Sequence, residues 1–276
     1  VGMQNTTQTF ETTGRPGHKR AVTRTWSPAA RFLLLAILFS LVYTQAPLFT
    51  SNQNQYFLHG LARAGYGLLG EDWLANTLDP TPVFSGLIEL NYRLFQTNLV
   101  FYPLYALLMG IYLYSLVGIV SHFYDLRSSP ARQIGFLALV LAIHSAGLRF
   151  ALARVLGDNW TYVLEDGVAD QRLLGPVFQP SAFGVFLLLS ILLFLKDRPF
   201  LAVLAAVLAA TFHPTYLLSA AALTEGYMLA TVWQPGESGP SMPAAALQRL
   251  RRALGIGLLE LVAVLPMLAY VYFNFA

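Results

Sequence analysis

The chain has 276 residues, 56% of them hydrophobic and only 11% charged, with a mean hydropathy of +0.55. An ordinary soluble domain carries roughly a quarter charged residues, so this much apolar surface requires lipid; a soluble enzyme and a disordered chain are excluded, and the lack of any cysteine excludes a disulfide scaffold. The net charge of +3 comes from Lys and Arg scattered between apolar runs rather than gathered on one face, which argues against nucleic-acid binding and marks them as topology signals.

Residues 1–28 are polar and rich in Thr, Gly and Arg, the composition of a disordered tail; residues 29–276 form a transmembrane helical domain. A helix needs about 20 residues to cross a hydrocarbon core of roughly 30 Å. Seven apolar runs approach that length: 30–49, 98–120, 134–153, 178–195, 199–211, 215–233 and 254–275. The first is longer than a signal-peptide core, and no small-residue cleavage site follows it. The fifth and sixth are one apolar stretch interrupted at His213-Pro214. Proline removes a backbone donor and pushes the residue before it out of helical geometry, which predicts a tight hairpin there. The expected fold is an all-α polytopic bundle of about seven spans, with interfacial helices in a long first outer loop. The last run ends at Ala276 with no polar anchor, and the chain begins with Val; both features predict a longer protein.

With the N-terminus in the cytoplasm, the inner segments hold Arg15, Lys19, Arg20, Arg24, Arg31, Arg127, Arg132, Lys196, Arg198, Arg249, Arg251 and Arg252, twelve of the 17 basic residues. The outer loops, over 50–97 and 154–179, hold Arg63, Arg93, Arg154 and Arg172, and Arg149 lies within the third run. This is the positive-inside distribution of a multi-pass protein of the plasma (bacterial inner) membrane. It requires the His213 hairpin, without which the Arg249–Arg252 cluster would fall outside. Acidic residues show the opposite bias: Glu71, Asp72, Asp79, Glu89, Asp158, Glu165, Asp166 and Asp170 are all outside.

The first outer loop is long enough to be either functional or disordered, and its composition is not that of a disordered segment. Tyr56, Phe57, Leu61, Ala64, Leu68 and Leu69 recur at near-helical spacing beside Asn54, Gln55, His59 and Arg63, predicting a short helix in the membrane interface. A second interfacial piece is expected over 84–95. Between them Pro80 and Pro82 flank Asp79 and hold its backbone extended. Gly65-Tyr66-Gly67-Leu68-Leu69-Gly70 matches the dinucleotide fingerprint in letters only, because no strand precedes it and no βαβ unit surrounds it; these glycines are read as places where helices bend or pack closely.

In the second outer loop stand Asp158, Glu165, Asp166, Asp170 and Arg172. Arg149 and Arg154 sit near the outer surface, where they either snorkel to headgroups or form a phosphate-binding pair, since guanidinium forks match phosphate oxygens. His213 at the hairpin tip is a turn residue, a base or a metal ligand. Asp79, Asp158 and His213 come from separate segments that the topology brings to one membrane face. Glu225 falls within a span, where a carboxylate is expensive, and would serve a transporter. The Ala202, Ala205, Ala206, Ala209, Ala210 stripe is a close-packing face.

A cytoplasmic N-terminus, one span, a long outer loop carrying Glu71, Asp72 and Asp79 between interfacial helices, and then a polytopic bundle with short hairpin spans together resemble the GT-C class of membrane glycosyltransferases. That resemblance implies transfer of a sugar from a polyprenyl-phosphate carrier on the outer face, with a loop-one carboxylate as base or metal ligand. Amides, Asn52-Gln53-Asn54-Gln55, stand where the class has an acidic pair just after the first span, so the catalytic role passes to Asp79, Asp72 or Glu71. Arg149, Arg154, His213, Asp158 and His59 then bind substrate, and the acidic loops or His213 would hold a divalent cation. The expected partners are the bilayer and the lipid-phosphate substrate. The competing classes are a non-catalytic membrane subunit and a transporter using Glu225.

Overall fold

The computed structural model describes residues 27–164, 173–233 and 242–275. The expected N-terminal tail, save its last two residues, and Glu165, Asp166, Asp170 and Arg172 lie outside the described residues. Among the described residues there are ten α-helices: α1 (Pro28–Tyr43), α2 (Gln53–Arg63), α3 (Pro82–Phe95), α4 (Phe101–Phe123), α5 (Pro130–Ile143), α6 (Ala146–Leu156), α7 (Val185–Leu195), α8 (Pro199–Phe212), α9 (Leu217–Val232) and α10 (Met242–Phe275). No strand occurs among the described residues. Proline opens α1, α3, α5 and α8 at the first turn, where its missing N–H has no helical partner to lose. Ser27 caps α1 by accepting from the Ala30 N–H at 3.2 Å.

The span count differs from the expectation of about seven. Among the described residues two helices, α4 and the Ala244–Phe275 part of α10, are long and apolar enough to cross a membrane. A third crossing exists only if α5 and α6, bent by 48° at their junction, count as one. The bend falls where the predicted third run crosses His144-Ser145, and Ser145 caps α6 by accepting from the Leu148 N–H at 3.0 Å. The other apolar runs form shorter helices: α1 has 16 residues, α7 11, α8 14 and α9 16. At about 1.5 Å per residue α8 reaches roughly 21 Å. Hydropathy overcounts here because part of the apolar character of α8 serves packing: Ala202, Val203, Ala206, Ala209 and Ala210 are buried where α8 packs on α7, α9 and α10, while Phe200, Leu201, Leu204 and Leu208 on its other face stay exposed.

The His213 turn is real. Val203 of α8 shares a cluster with Tyr227 of α9, while Ala209 and Ala210, nearer the turn, share one with Ala220. Residues progressively farther from the turn pair together, so the helices are antiparallel. The alanine stripe is the packing face it was expected to be, with Ala202, Ala206, Ala209 and Ala210 fully buried.

The bundle has two distinct ends. At one, the chain leaving α1, the helices α2 and α3, the start of α4 and residues 173–184 form a capping layer. The Ala46 N–H donates to the Pro176 carbonyl at 2.7 Å, and the Gln53 side-chain amide donates to the Phe178 carbonyl at 2.8 Å. The Phe178 ring lies within 5.4 to 6.3 Å of Phe57, Phe84, Phe101, Tyr105 and Phe183, the range in which aromatic pairs attract edge-to-face or offset. At the opposite end lie the α4–α5 and α7–α8 turns and the basic start of α10.

Candidate functional site

Helices α2 and α3 build the floor of the site. The buried residues of α3 (Phe84, Ser85, Ile88, Asn91, Tyr92) and of α2 (Gln53, Phe57, His59, Gly60, Leu61) recur at helical spacing and face each other, and they run in parallel: Phe57 meets Phe84, Gly60 meets Ile88, and Tyr66 meets Tyr92. Gly60 makes this approach possible, because a Cβ there would lie 2.5 Å from the Ser85 carbonyl oxygen. Both expected interfacial helices therefore exist, the first ending earlier than its hydrophobic pattern. Gly65, at φ 74°, ends it: the Tyr66 N–H bonds back to the Leu61 carbonyl and the Gly65 N–H to the Ala62 carbonyl, both at 3.0 Å. This is a Schellman cap, and it is what the first glycine of the Gly65–Gly70 pattern does.

The chain then folds back over α2. Asp72 Oδ1 accepts from the Leu74 and Ala75 N–H groups at 2.8 and 3.0 Å, and the Asn76 side-chain amide donates to the carbonyls of Gly70 and Asp72. The turn so fixed presents the Ala75 carbonyl to His59 Nδ1 at 3.1 Å. A carbonyl only accepts, so Nδ1 carries the proton and the neutral ring keeps the lone pair of Nε2. His59 lines a cavity of about 200 Å³ together with Gln55, Tyr56, Thr77, Thr81 and Phe275. Burial pushes the Tyr56 phenol above its ordinary value, leaving it a neutral O–H at neutral pH.

Asp79 stands behind this wall, its side chain only 2% exposed. Oδ2 accepts from the Arg63 guanidinium at 2.7 Å, Oδ1 from the Thr81 N–H at 2.9 Å, and its carbonyl from the Tyr270 hydroxyl of α10 at 2.6 Å. Both carboxylate oxygens are thus engaged, and Asp79 ties α2, the start of α3 and α10 together. Glu71 is exposed in the short Leu69–Glu71 turn, and Asp72 is consumed as a cap.

The remaining expected residues are distributed differently. His213 lies 6.5 Å from the Tyr56 ring, centroid to centroid, so it borders the same region. Its Nδ1 accepts from the Thr215 hydroxyl at 2.8 Å and the Thr215 N–H at 3.4 Å, and burial lowers its pKa below 6.5. It is a turn cap. Asp158 is exposed in the Asp158–Trp160 turn, and among the described residues no hydrogen bond, ion pair or ring contact joins it to Asp79 or His213. Arg149 is 7% exposed and does not reach out to headgroups: its guanidinium donates to the Tyr43 carbonyl and lies 4.1 Å from the Tyr43 ring centroid. Arg154, one turn on, is exposed, so the two arginines are not presented as a matched pair. Glu225 is exposed on α9 while its neighbour Thr224 is buried, so it faces away from the bundle.

Among the described residues no three His, Asp or Glu side chains gather into a metal-binding set, and each Asp79 carboxylate oxygen already accepts a hydrogen bond. The divalent cation implied by the resemblance does not fit these residues. Sequence reasoning missed Arg63 as the partner of the Asp79 carboxylate, Tyr270 as the donor to the Asp79 carbonyl and Phe275 as a wall of the cavity; the latter two approach from almost the far end of the chain, and nothing local signals them. No known family profile matches the chain, and no curated protein or solved structure shows significant similarity to it.

Proposed function

We propose that the chain is a multi-pass membrane protein acting as a GT-C-like glycosyltransferase, its cavity on the outer side of the membrane and its N-terminus in the cytoplasm. The observation that carries the reading is His59, a cavity-lining ring whose Nδ1 is held by the Ala75 carbonyl, at the end of the bundle away from the basic cluster; the reading takes Nε2 as the nitrogen that meets substrate. In this reading an acceptor hydroxyl gives its proton to His59 Nε2. Its oxygen attacks the anomeric carbon of a polyprenyl-phosphate sugar, and the bond from that carbon to the phosphate oxygen breaks, the electron pair leaving on the lipid phosphate. Asp79 and Arg63 act as positioning residues that hold the wall of the cavity. Arg154, exposed in the last turn of α6, is assigned to the phosphate in this reading.

The test is His59→Asn. The Asn amide sits where Nδ1 does and still donates to Ala75, but no base remains. Transfer of labelled sugar from a polyprenyl-phosphate donor by membranes carrying the variant should fall by about 10²- to 10⁴-fold, the usual worth of a positioned base, with the protein's thermal midpoint unchanged. Undiminished transfer would remove His59 from the mechanism. A second reading, a non-catalytic membrane subunit, draws on the full engagement of Asp79; it expects no transfer by the wild type and co-purification with a larger assembly.

A further inference from the structure

The end of the bundle opposite the cavity carries an arrangement that the catalytic reading does not use. Helix α7 ends in a second Schellman cap: the Arg198 N–H bonds to the Leu193 carbonyl and the Asp197 N–H to the Phe194 carbonyl, both at 2.9 Å. Asp197 takes the left-handed position, φ 58°, usually filled by glycine. Its carboxylate accepts from the Arg252 guanidinium at 2.8 Å. One turn further along α10, Gly255 lies against the Phe200 ring, close enough that a Cβ would touch it at 3.5 Å. These contacts join the α7–α8 turn to α10, so that Lys196 and Arg198, which flank Asp197 in the chain, and Arg251, which precedes Arg252, belong to the same end of the bundle. Lys196 donates to the Tyr114 hydroxyl at 2.8 Å; Arg198 and Arg251 are exposed.

Directly beside these cations the surface is apolar and open: Phe200, Leu201, Leu250 and Leu254 are 45 to 57% exposed. A cluster of positive charge bordering exposed aliphatic and aromatic side chains matches one kind of molecule, an anionic head joined to acyl chains. From Arg252 to Tyr270 is 18 residues of α10, about 27 Å of helix rise, close to the hydrocarbon thickness of a bilayer. The cluster therefore sits at headgroup depth when the capping layer occupies the other interface.

We propose that the α7–α8 turn and the start of α10 form a binding site for an anionic glycerophospholipid. Arg198 and Arg251 contact the headgroup phosphate, Phe200 and Leu254 the acyl chains, and Asp197 competes with the lipid for Arg252. The site shares no residue with the cavity, and its occupancy is read without any transfer assay.

Native mass spectrometry of the full chain, released from detergent with added phosphatidylglycerol or phosphatidylcholine of identical acyl chains, tests this. Phosphatidylglycerol should be retained preferentially. Each basic residue near a membrane surface contributes such that its loss weakens binding about fivefold, so Arg198→Gln with Arg251→Gln should weaken it by about 25-fold, and Arg198→Lys with Arg251→Lys should not. Asp197→Asn should strengthen binding, because a competing carboxylate is gone. Equal retention of the two lipids, indifference to the Gln pair, or weaker binding by Asp197→Asn would overturn the proposal. Displacement of the bound lipid by millimolar inorganic phosphate would also overturn it, since the acyl contacts would then contribute nothing. If the Gln pair fails to fold, the Lys pair and Asp197→Asn still decide between these outcomes.

Discussion

The closest helix contact in the capping layer gives the sharpest test of its geometry. At Gly60 an added Cβ would lie 2.5 Å from the Ser85 carbonyl oxygen and 2.6 Å from Ile88 Cβ. Neither atom is the tip of a flexible side chain: one is α3 backbone and the other is bonded to it. Ordinary contact is 3.4 to 4 Å, so Gly60→Ala must move α3 away from α2 by roughly 1 Å, loosening the Phe57–Phe84 contact as well. Overpacking of this kind costs about 1–3 kcal/mol, against a gain of about 0.5–1 kcal/mol from replacing a mid-helix glycine. The net expectation is a loss of about 1–2 kcal/mol. Gly86, in the same pair of helices, has no atom within 4 Å of its added Cβ, so Gly86→Ala keeps only the gain. The two variants should move the thermal midpoint in detergent in opposite directions: down by about 2–8 °C for Gly60→Ala and up by about 1–4 °C for Gly86→Ala, at about 2–4 °C per kcal/mol for a chain of this size. A midpoint for Gly60→Ala at or above wild type would refute the parallel packing of α2 on α3.

The Arg63–Asp79 pair should respond asymmetrically: Arg63→Gln leaves a buried carboxylate short of a partner and should cost about 1–3 kcal/mol, whereas Asp79→Asn leaves a partly exposed guanidinium that water can solvate and should cost less. Equal losses in chemical unfolding would show that Asp79 is not buried as described. The His213 turn should loosen in acid: burial holds the folded-state pKa below 6.5, so the unfolded chain binds the proton more readily and stability falls as pH drops below 6.5 toward the folded value. In His213→Asn the side-chain oxygen can still accept from Thr215 while nothing titrates, so a midpoint measured between pH 7 and 5 should lose that dependence on pH, and an unchanged slope would remove His213 as its source.

Local patterns in the sequence carried much of this architecture. Residues such as Tyr56, Phe57 and Leu61 at helical spacing announced α2, the segment 84–95 announced all but the first turn of α3, and His213-Pro214 announced the hairpin, because each is a short-range pattern. The span count was not legible in the same way. An apolar helix faced by protein and one faced by lipid have the same composition, and only the packing of α8 among α7, α9 and α10 tells them apart. The candidate site was half legible. Its flagged carboxylate, Asp79, is a strut, and among the flagged residues the one that lines the cavity is His59, whose ring orientation depends on a carbonyl 16 residues away. The partners that define both come from turns and from α10, contacts that periodicity does not encode.

Those long-range contacts also relate the cavity to the bilayer. Phe275 is one wall of the cavity and the Tyr270 hydroxyl holds the Asp79 carbonyl, yet both belong to α10, whose Ala244–Phe275 portion has only 17% of its most apolar window buried inside the protein. A helix so little covered by its own chain needs lipid or another protein along its length to be stable. The cavity is complete only when α10 is seated, and α10 is secured by the capping layer at one end and by the Asp197–Arg252 contact at the other. Whatever holds the basic end of α10, the Asp197–Arg252 contact or a lipid headgroup that takes Arg252 over, therefore also bears on the far wall of the cavity, without any contact between the two ends.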